Sequence, residues 1–432
     1  MAYTFSGGIH LKENKNTKSS PAREFLEPPH VAIAMKQHTG LPCLPLVAAG
    51  ERVCVGQPVG DNREGLCCPV HASVSGTVKA LETMFSLNGE RVVHAVIEND
   101  FKNELWTELR GETRPLETLA PAEIIARIRD AGIVGMGGGA YPAYAKLKSA
   151  LGKARNLIIN CAECEPYLTA GHRLLLERPE DVIKGIKILI HTLGLRKAVI
   201  AIEENKPDAV RALDAAISDK ALIEIKIMKT KYPQGDERQI IRALFDREIP
   251  AGKTPAETGF AVFNPETALN IYQALATGLP SVYKRLTVDG NAVKKPGNLI
   301  VPVGTPFSEI ARLCGGLKKR FRRLIVGGPM MGQAAWSLNG CVVKGTGGLL
   351  FLGGETEPNG ACIRCGRCIS ACPARLMPSL LAAHAEKGGF EECKRLGLSR
   401  CVECGCCSYV CPGRVPLVQH IRNAKAADGG GQ

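Results

Sequence analysis

The stretch "CIRCGRCISACP", residues 362–373, carries four cysteines in the spacing CxxCxxCxxxCP, and "CVECGCCSYVCP", residues 401–412, repeats that spacing. These runs lie in the last fifth of a 432-residue chain that contains 18 cysteines. Secreted disulfide proteins are also rich in cysteine, but two tight, matched clusters in a chain of this length indicate thiolate ligands in a reducing compartment. The runs therefore predict metal binding more strongly than disulfides.

The spacing within each run favours iron over zinc. Zinc needs only four ligands, whereas two matched sets of four, each followed by proline, are typical of bacterial two-cluster ferredoxins, where the fourth cysteine of a run binds the other cluster. One [4Fe-4S] cluster is therefore predicted to bind Cys362, Cys365, Cys368 and Cys411. The other is predicted to bind Cys401, Cys404, Cys407 and Cys372, which leaves Cys393 and Cys406 spare.

Crossed ligands require the two runs to lie against each other. Residues 374–400 are therefore predicted to form a connecting helical segment within one compact module. Such clusters carry one electron at a time and perform no bond chemistry of their own. Another part of the chain must meet the substrate.

Residues 118–283 alternate between short apolar strands and helical segments. The predicted strands are NLIIN (156–160), KAVIAIEE (197–204) and IEIKIMK (223–229). The segments between them have helical periodicity and acidic starts. This βαβαβ order predicts a parallel sheet covered by helices, and two more helices are predicted in DERQIIRALFDR and NPETALNIYQALATG.

A glycine-rich loop, GMGGGAYPAYAKLK at residues 135–148, precedes the first of these strands. It fits the dinucleotide pattern only loosely, because the segment before it has the periodicity of a helix and not of the strand that a Rossmann fold requires. Its amides can still turn toward an anion, with a helix beginning near Pro142 and Lys146 one turn further on. A flexible surface loop is the alternative, which the helix entry preset by Pro142 disfavours.

At the level of whole motifs the chain resembles the RnfC subunit of the Rnf-type ion-translocating electron transport complexes. The resemblance extends over nearly the whole chain and rests on GMGGGAYPAYAKL, NCAECEPYLTAGHRLLLERPEDVIKGI, YPQGDERQIIRAL, FNPETALNIYQAL, GGPMMG and the double cysteine run. The central part is also similar to the flavin-bearing, NADH-oxidising subunit of respiratory complex I. The resemblance implies non-covalent FMN on which NAD(H) stacks.

The resemblance also implies roles for individual residues. The FMN phosphate and ribityl chain would be held by Gly135, Gly137, Gly138 and Lys146, and Tyr141 would be an aromatic platform. Asn160 would face the flavin, and the pocket would be closed by Gly235, Glu237 and Asn264. The catalytic candidates are Glu163, facing the flavin, and Glu165, close to the nicotinamide end. Without the resemblance, these two carboxylates could equally be loop residues or helix caps.

The sequence departs from the usual family pattern at Gly139, Tyr141, Cys161 and Asp236. Cys161 and Asp236 stand where glycine is common, which bears on the shape of the pocket and on FMN affinity. Electron counting gives an independent reason for a flavin. Nicotinamide transfers two electrons as hydride, whereas the clusters accept single electrons, so a group that does both has to stand between them.

The flanking segments predict further domains. VGQPVG and PVHASVSGTV resemble a barrel-sandwich hybrid, in which Ser73 and Ser75 stand where a carrier domain would have a lysine, so a docking or structural role is predicted. Residues 284–318 resemble a small β-grasp domain, and Met330 and Met331 are predicted to be core filler.

The predicted fold class is thus a multidomain α/β protein. Its predicted parts are an N-terminal arm (1–28), a β-rich barrel-sandwich domain and linker (29–117), a parallel-sheet FMN/NAD-binding domain (118–283), a β-grasp domain and linker (284–355) and an α-helical two-cluster ferredoxin-like domain (356–432).

The formal net charge is +13, but only 5% of the residues are aromatic and no nucleic-acid recognition module is found, so nucleic acid is not expected as a partner. Basic residues concentrate in LKKRFRR, which contains Lys318, Lys319, Arg320, Arg322 and Arg323. This basic run is either a solvated surface or a docking site for an acidic partner or anionic lipid headgroups. No apolar run approaches the roughly 18 to 20 residues of a membrane span, and no signal peptide is found.

These patterns predict a peripheral subunit of an ion-translocating complex on the cytoplasmic face of the inner membrane. It would exchange electrons between NAD(H) and a low-potential carrier such as ferredoxin, while partner subunits translocate the ion. One alternative is a soluble flavin and iron-sulfur reductase, such as a cobalamin reductase. Another is a non-enzymatic electron wire without flavin. Membrane fractionation and flavin content distinguish the three.

Overall fold

The computed structural model describes residues 2–355 and 359–427. Along the chain, an antiparallel β region, a parallel α/β region, a mixed β-sheet region and a helical region follow one another. The boundaries assigned from sequence stay predictions.

The first region consists of two small antiparallel sheets around one apolar core. The strands of the N-terminal part of the chain are β1 (Ala22–Glu24), β2 (His30–Ala34), β3 (Leu44–Pro45), β4 (Arg52–Val53), β5 (Pro58–Asp61), β6 (Val70–His71), β7 (Gly76–Phe85) and β8 (Arg91–Asn99). The order is β2-β8-β7-β4 in one sheet and β3-β5-β6 in the other. Ser73 is buried and donates a hydrogen bond of 2.5 Å to the Val303 carbonyl. This contact fixes the region against the mixed sheet, in keeping with a structural role.

The central region is a four-stranded parallel sheet in the order β11-β10-β9-β12, with helices on both faces. Its strands are β9 (Asn156–Asn160), β10 (Ala198–Glu203), β11 (Ile223–Met228) and β12 (Phe260–Phe263). Its helices are α1 (Pro121–Asp130), α2 (Ala143–Ala150), α3 (Ala170–Glu177), α4 (Pro179–Leu193), α5 (Pro207–Ala216), α6 (Glu237–Phe245) and α7 (Pro265–Thr277), with 3-10 turns at Leu116–Thr118 and Ala256–Thr258.

The predicted βαβαβ unit and its parallel sheet are confirmed. The ends of α4 follow from its sequence, because proline occupies the first turn and Gly194 ends the helix with a φ of 64°. The prediction missed β12, since a strand of four residues, FAVF, is too short to show a period.

The third region is a mixed six-stranded sheet in the order β1-β14-β13-β17-β15-β16. Its further elements are β13 (Tyr283–Asp289), β14 (Gly297–Pro302), α8 (Phe307–Leu313), β15 (Phe321–Val326), β16 (Gln333–Ala335) and β17 (Gly348–Gly353). The N-terminal arm takes part in this sheet, because β1 pairs with β14 in parallel. The arm also reaches the central region, where Tyr3 forms a bridge with Met228.

The C-terminal region is helical. Its elements are α9 (Arg367–Ala371), α10 (Pro378–Glu386), α11 (Phe390–Arg395), a 3-10 turn at Leu398–Arg400, α12 (Cys406–Tyr409) and α13 (Leu417–Ala427). Each cysteine run leads into a short helix, α9 or α12, through a glycine in the left-handed conformation, Gly366 or Gly405. The connecting segment is helical, as predicted.

Among the residues that the structure describes, no helix combines the length and apolar character needed to cross a membrane.

Candidate functional site

The carboxyl ends of the parallel strands meet at one edge of the central sheet. From β9 the chain proceeds through β10 to β11 on one side, whereas β12 lies on the other side of β9. The crevice outside a pair of strands where the order reverses is the usual ligand site of such sheets. Asn160 is the last residue of β9 and Asn264 directly follows β12. Two predicted site residues therefore stand at this switch point.

The glycine loop lies next to Asn264 and has an open face. The Gly135 N–H donates to the Tyr141 carbonyl (2.9 Å), which closes the loop on itself. A Cβ at Gly137 would lie 3.3 Å from Nδ2 of Asn264, whereas a Cβ at Gly138 would meet no atom within 4 Å. Gly138 has a φ of 105°, which favours glycine. An exposed glycine loop followed by the N-terminus of α2 fits a phosphate-bearing ligand.

Lys146 and Glu237, both predicted site residues, form an ion pair that joins α2 to the first residue of α6. Their side chains keep 25% and 39% of their exposure, so the pair is partly open to solvent. The ammonium group also lies 5.6 Å from the centre of the Phe263 ring. A phosphate group at the loop would compete with Glu237 for the lysine.

Asn160 and Gly235 are in direct contact. The Asn160 side chain donates to the Gly235 carbonyl (2.7 Å), and the Gly235 N–H lies 3.3 Å from the sulfur of Cys164. A Cβ at Gly235 would be 2.9 Å from the Ala162 carbonyl oxygen, so only glycine allows this approach. The motifs at 160–164 and 232–237 thus form one surface.

Glu163 accepts hydrogen bonds from the backbone N–H groups of Gly171 (2.7 Å) and His172 (3.3 Å), in the first turn of α3. Partly buried Lys15 of the N-terminal arm donates to the carbonyl of Glu163 (2.7 Å), and desolvation lowers the pKa of this lysine. Glu163 therefore has the contacts of a helix-capping residue, which was one of the alternatives to a catalytic role. The catalytic role of Glu163 stays a prediction.

Glu165 accepts hydrogen bonds from the N–H groups of Met330 (3.0 Å) and Met331 (2.8 Å). Burial raises the pKa of this carboxyl group. The carboxylate thereby ties the GGPMMG loop to the central region, and its role near the nicotinamide stays a prediction. The prediction of core filler is wrong for Met331, which is 45% exposed.

The remaining predicted residues have ordinary local roles as well. Tyr141 is exposed beside the loop, as a platform for a nucleotide would be. Asn264 caps α7 by accepting from the Glu266 N–H (3.0 Å). Asp236 caps α6 in the same way by accepting from the Arg238 N–H (3.1 Å). Caps of this kind hold the sheet edge in place.

The cluster module packs directly on this surface through Tyr232. The Tyr232 side chain is 1% exposed, and its hydroxyl donates to the Cys404 carbonyl (2.7 Å). Cys164 and Met330 pack in the same apolar group as Cys404 and Cys406. Cys406 is a buried packing residue here, as predicted.

One of the two predicted ligand sets converges on a common cavity. The cavity is lined by Cys372, Cys401, Cys404 and Cys407, so the crossed fourth cysteine is brought to the second run. Burial raises the pKa of Cys407 to about 12, so a bound cation is needed to keep this sulfur a thiolate. These donors fit an iron-sulfur cluster.

The other set is partly brought together. Cys368 and Cys411 pack in one apolar group with Cys407, whereas Cys362 and Cys365 are exposed. The assignment of all eight ligands stays a prediction. The positions indicate an inner cluster beside the central region and an outer cluster near the surface.

Sequence reasoning missed Gln234 and the arm residue Lys15. Gln234 is fully buried, and neither polar atom of its amide has a partner among the described residues. Burial without a partner is costly, so a bound group at this position would fit. Its place between Tyr232 and Gly235 in the YPQGD motif was the available signal.

Four family models match consecutive parts of the chain. They are the RnfC barrel sandwich hybrid domain (residues 3–102), the Nuo51 FMN-binding domain (128–273), the SLBB domain (285–334) and the 4Fe-4S dicluster domain (361–415). These matches confirm the predicted FMN and [4Fe-4S] cofactors and the coarse domain architecture.

Whole-chain relatives are also found, and they are RnfC subunits of three bacterial complexes. The chain is 39% identical, over 90% of its length and 89% of the relative, to that of the Na(+)-translocating ferredoxin:NAD(+) oxidoreductase complex of Acetobacterium woodii. It is 38% identical, over 91% of its length and 87% of the relative, to that of the proton-translocating ferredoxin:NAD(+) oxidoreductase complex of Clostridium ljungdahlii. It is 38% identical, over 98% of its length and 83% of the relative, to that of the ion-translocating oxidoreductase complex of Rhodobacter capsulatus.

A solved structure shares the fold. It is the NAD+-reducing [NiFe]-hydrogenase in its H2-reduced state, with a TM-score of 0.53 and 18% identity. The match covers 72% of this chain and 62% of the hydrogenase chain.

Proposed function

The chain belongs to the RnfC family of ion-translocating oxidoreductase complex subunits, and from this premise we propose that it exchanges electrons between NAD(H) and a low-potential carrier such as ferredoxin. FMN and two [4Fe-4S] clusters are the cofactors. The names of the relatives support this function over that of a soluble cobalamin reductase, and the FMN-binding domain argues against a wire without flavin.

The proposal rests on one series of contacts between the central region and the cluster module. It runs from Asn160 at the sheet edge to Gly235, and from Tyr232 in the same motif to the Cys404 backbone. The motif of the candidate flavin site and the ligand run of the inner cluster are thus neighbours. When bound, FMN exchanges electron pairs with nicotinamide and single electrons with a cluster.

The chain's own residues bind and orient the cofactor in this proposal. The open glycine loop and Lys146 would hold the phosphate, and the N-terminus of α2 would add its positive end. Because Gly235 has no side chain, its backbone can lie close to the Ala162 carbonyl oxygen. Buried Tyr232 and partly buried Met330 exclude water between the pocket and the inner cluster.

The outer cluster is the proposed point of exchange with the carrier. Its ligands Cys362 and Cys365 are exposed, and so are the neighbouring apolar side chains Ile363 (67%) and Tyr409 (57%). Exposed apolar side chains beside a redox centre favour contact with another protein. The partners are the other subunits of the complex, and the proposed location is peripheral, on the cytoplasmic face of the inner membrane.

Two cysteine variants test this order of cofactors. The full chain is loaded with FMN, reduced without excess reductant and mixed with NAD+. Cys404→Ser, which damages the inner cluster, should leave the outer cluster reduced. In Cys365→Ser, which damages the outer cluster, NAD+ should still reoxidise the inner cluster. The opposite pattern contradicts the proposed order.

A further inference from the structure

Three metal-ligating side chains that belong to neither cysteine run come together inside the barrel-sandwich region. They are His38, Cys43 and Cys67, and their donor atoms all lie within 4.8 Å of one another. All three side chains are buried. His38 and Cys43 lie close together in the sequence, and Cys67 follows Cys43 by 24 positions.

The separation of the two sulfur atoms fits a shared metal ion. Cys43 and Cys67 are 3.5 Å apart at their sulfurs. Two thiolates bound at about 2.3 Å to a tetrahedral zinc ion lie about 3.8 Å apart, whereas the sulfurs of a disulfide lie about 2.05 Å apart. We propose that His38, Cys43 and Cys67 bind a zinc ion.

The imidazole of His38 presents a lone pair at this place. Its Nε2 lies 2.7 Å from the Cys68 backbone nitrogen and 3.0 Å from the Cys68 carbonyl oxygen, so this backbone holds the ring in place. Because an imidazole nitrogen has a single lone pair, a zinc ion at Nε2 would take the place of the Cys68 N–H hydrogen bond. Nδ1 is buried and has no partner among the residues described by the structure.

The carbonyl oxygen of Cys68 adjoins all three ligand atoms. It lies 3.1 Å from the Cys43 sulfur, 3.8 Å from the Cys67 sulfur and 3.0 Å from Nε2 of His38. The corners of a tetrahedral zinc site with sulfur, nitrogen and oxygen ligands are about 3.4 to 3.8 Å apart, so the separations of 3.1 Å and 3.0 Å are too short for this oxygen to be a ligand itself. In the proposed site, a water that donates a hydrogen bond to this carbonyl oxygen takes the fourth corner.

Charge and ligand softness select the metal. Two thiolates balance a divalent cation, so the buried site carries no net charge. Thiolate and imidazole ligands favour zinc over magnesium or calcium, which prefer oxygen. Because the site is buried, its role is structural.

The site adjoins the glycine loop through the next residue. The Thr39 N–H donates to the Ala140 carbonyl (3.3 Å), and the Gln37 side chain accepts from the Lys344 N–H (3.1 Å). A metal at His38 would hold residues 37–39 and, through them, the loop. This consequence for the loop rests on the proposed function, whereas the metal site does not.

The experiment measures metal in the full chain with its clusters intact. Zinc and iron are quantified in wild type, Cys43→Ser, Cys67→Ser and the control Cys54→Ser, a half-buried cysteine outside the group. Wild type and Cys54→Ser should hold about one zinc per chain. Each of the other two variants should lose at least ten-fold in zinc occupancy, while iron stays at roughly eight per chain, as expected for two four-iron clusters.

A measurement on the wild type covers the case in which a variant does not fold. The zinc is removed with a chelator and replaced with Co2+, which should give thiolate-to-cobalt charge-transfer absorption at one equivalent. Mass spectrometry after alkylation should find Cys43 and Cys67 unlinked. A Cys43–Cys67 disulfide, or a chain with iron alone and no cobalt signal, overturns the proposal whether or not FMN binds.

Discussion

Removing the ammonium group of Lys146 should weaken FMN binding by an amount that the structure allows to be worked out. A hydrogen bond from a charged donor to the phosphate contributes about 1.5–3 kcal/mol. Lys146 must leave Glu237 to make it, and a partly exposed ion pair contributes about 0.5 kcal/mol. The net loss in Lys146→Ala is then about 1–2.5 kcal/mol, or roughly a 5- to 60-fold weaker affinity.

The assay compares two flavins by titration of the purified chain. FMN should bind Lys146→Ala roughly 5- to 60-fold more weakly than it binds the wild type, whereas riboflavin, which lacks the phosphate, should bind both proteins alike. Glu237→Gln frees the lysine and should bind FMN about twice as tightly. Lys148→Ala, an exposed charge on the same helix, is the control and should change nothing.

Iron content should be normal in all these variants, because the cluster ligands lie in a separate region. An equal loss of FMN and riboflavin affinity in Lys146→Ala would refute the reasoning, since the lysine would then support the pocket and not the phosphate. Unchanged FMN affinity would also place the phosphate away from this loop.

Three further outcomes are expected. Cys411→Ser should change iron content and the reduced-state resonance chiefly at the cluster of the first run, whereas Cys406→Ser should change neither; loss confined to the cluster of the second run would exclude crossed ligation. Replacing Lys318, Lys319 and Arg320 with glutamine should weaken retention on membranes or the complex most at low ionic strength, because charges are screened over about 8 Å at physiological salt; retention that is the same across a salt series would indicate a solvated surface. Burial raises the pKa of Glu165 above the ordinary value of 4.5. As pH rises through that raised pKa, the free energy of unfolding of the wild type, measured in urea, should fall relative to that of Glu165→Gln. If the difference in unfolding free energy between the two proteins is the same at every pH, the pKa of this carboxyl group is not raised.

The basic side chains of residues 318–322 are exposed, as docking on an acidic surface requires. Lys318, Lys319, Arg320 and Arg322 are exposed, and none of them pairs with a carboxylate of the described residues. Arg320 instead donates to the Asn291 carbonyl (2.7 Å), which orients it at the surface. The charge is therefore available to an acidic surface, and the role itself stays a prediction.

Local patterns made the elements predictable. The strand at 156–160 and the helix at 179–193 carry their period and their capping residues within a few positions, so the sequence alone specifies them. The cysteine runs are equally local, because the first three cysteines of each run are predicted to bind the same cluster. Resemblance to a family supplied the rest of the site, since single glycines and carboxylates have no pattern of their own.

Contacts between distant segments were not predictable. The pair of Lys146 with Glu237 and the bond from Tyr232 to the Cys404 carbonyl depend on how the regions pack. The arm residue Lys15 reaches the loop at 163–168 from almost 150 positions away. No periodicity in one sequence records such distances. The group of His38, Cys43 and Cys67 was missed because its spacing matches no paired CxxC unit.

The central claim is that FMN connects NAD(H) to the clusters within this one chain. The most direct test takes the purified chain, reduces its clusters without excess reductant, and adds NAD+ with and without FMN. With FMN, NADH should form while the visible absorption of the oxidised clusters returns, and without FMN neither change should occur. Formation of NADH in the flavin-free chain, or clusters that stay reduced when FMN is bound, would contradict the account.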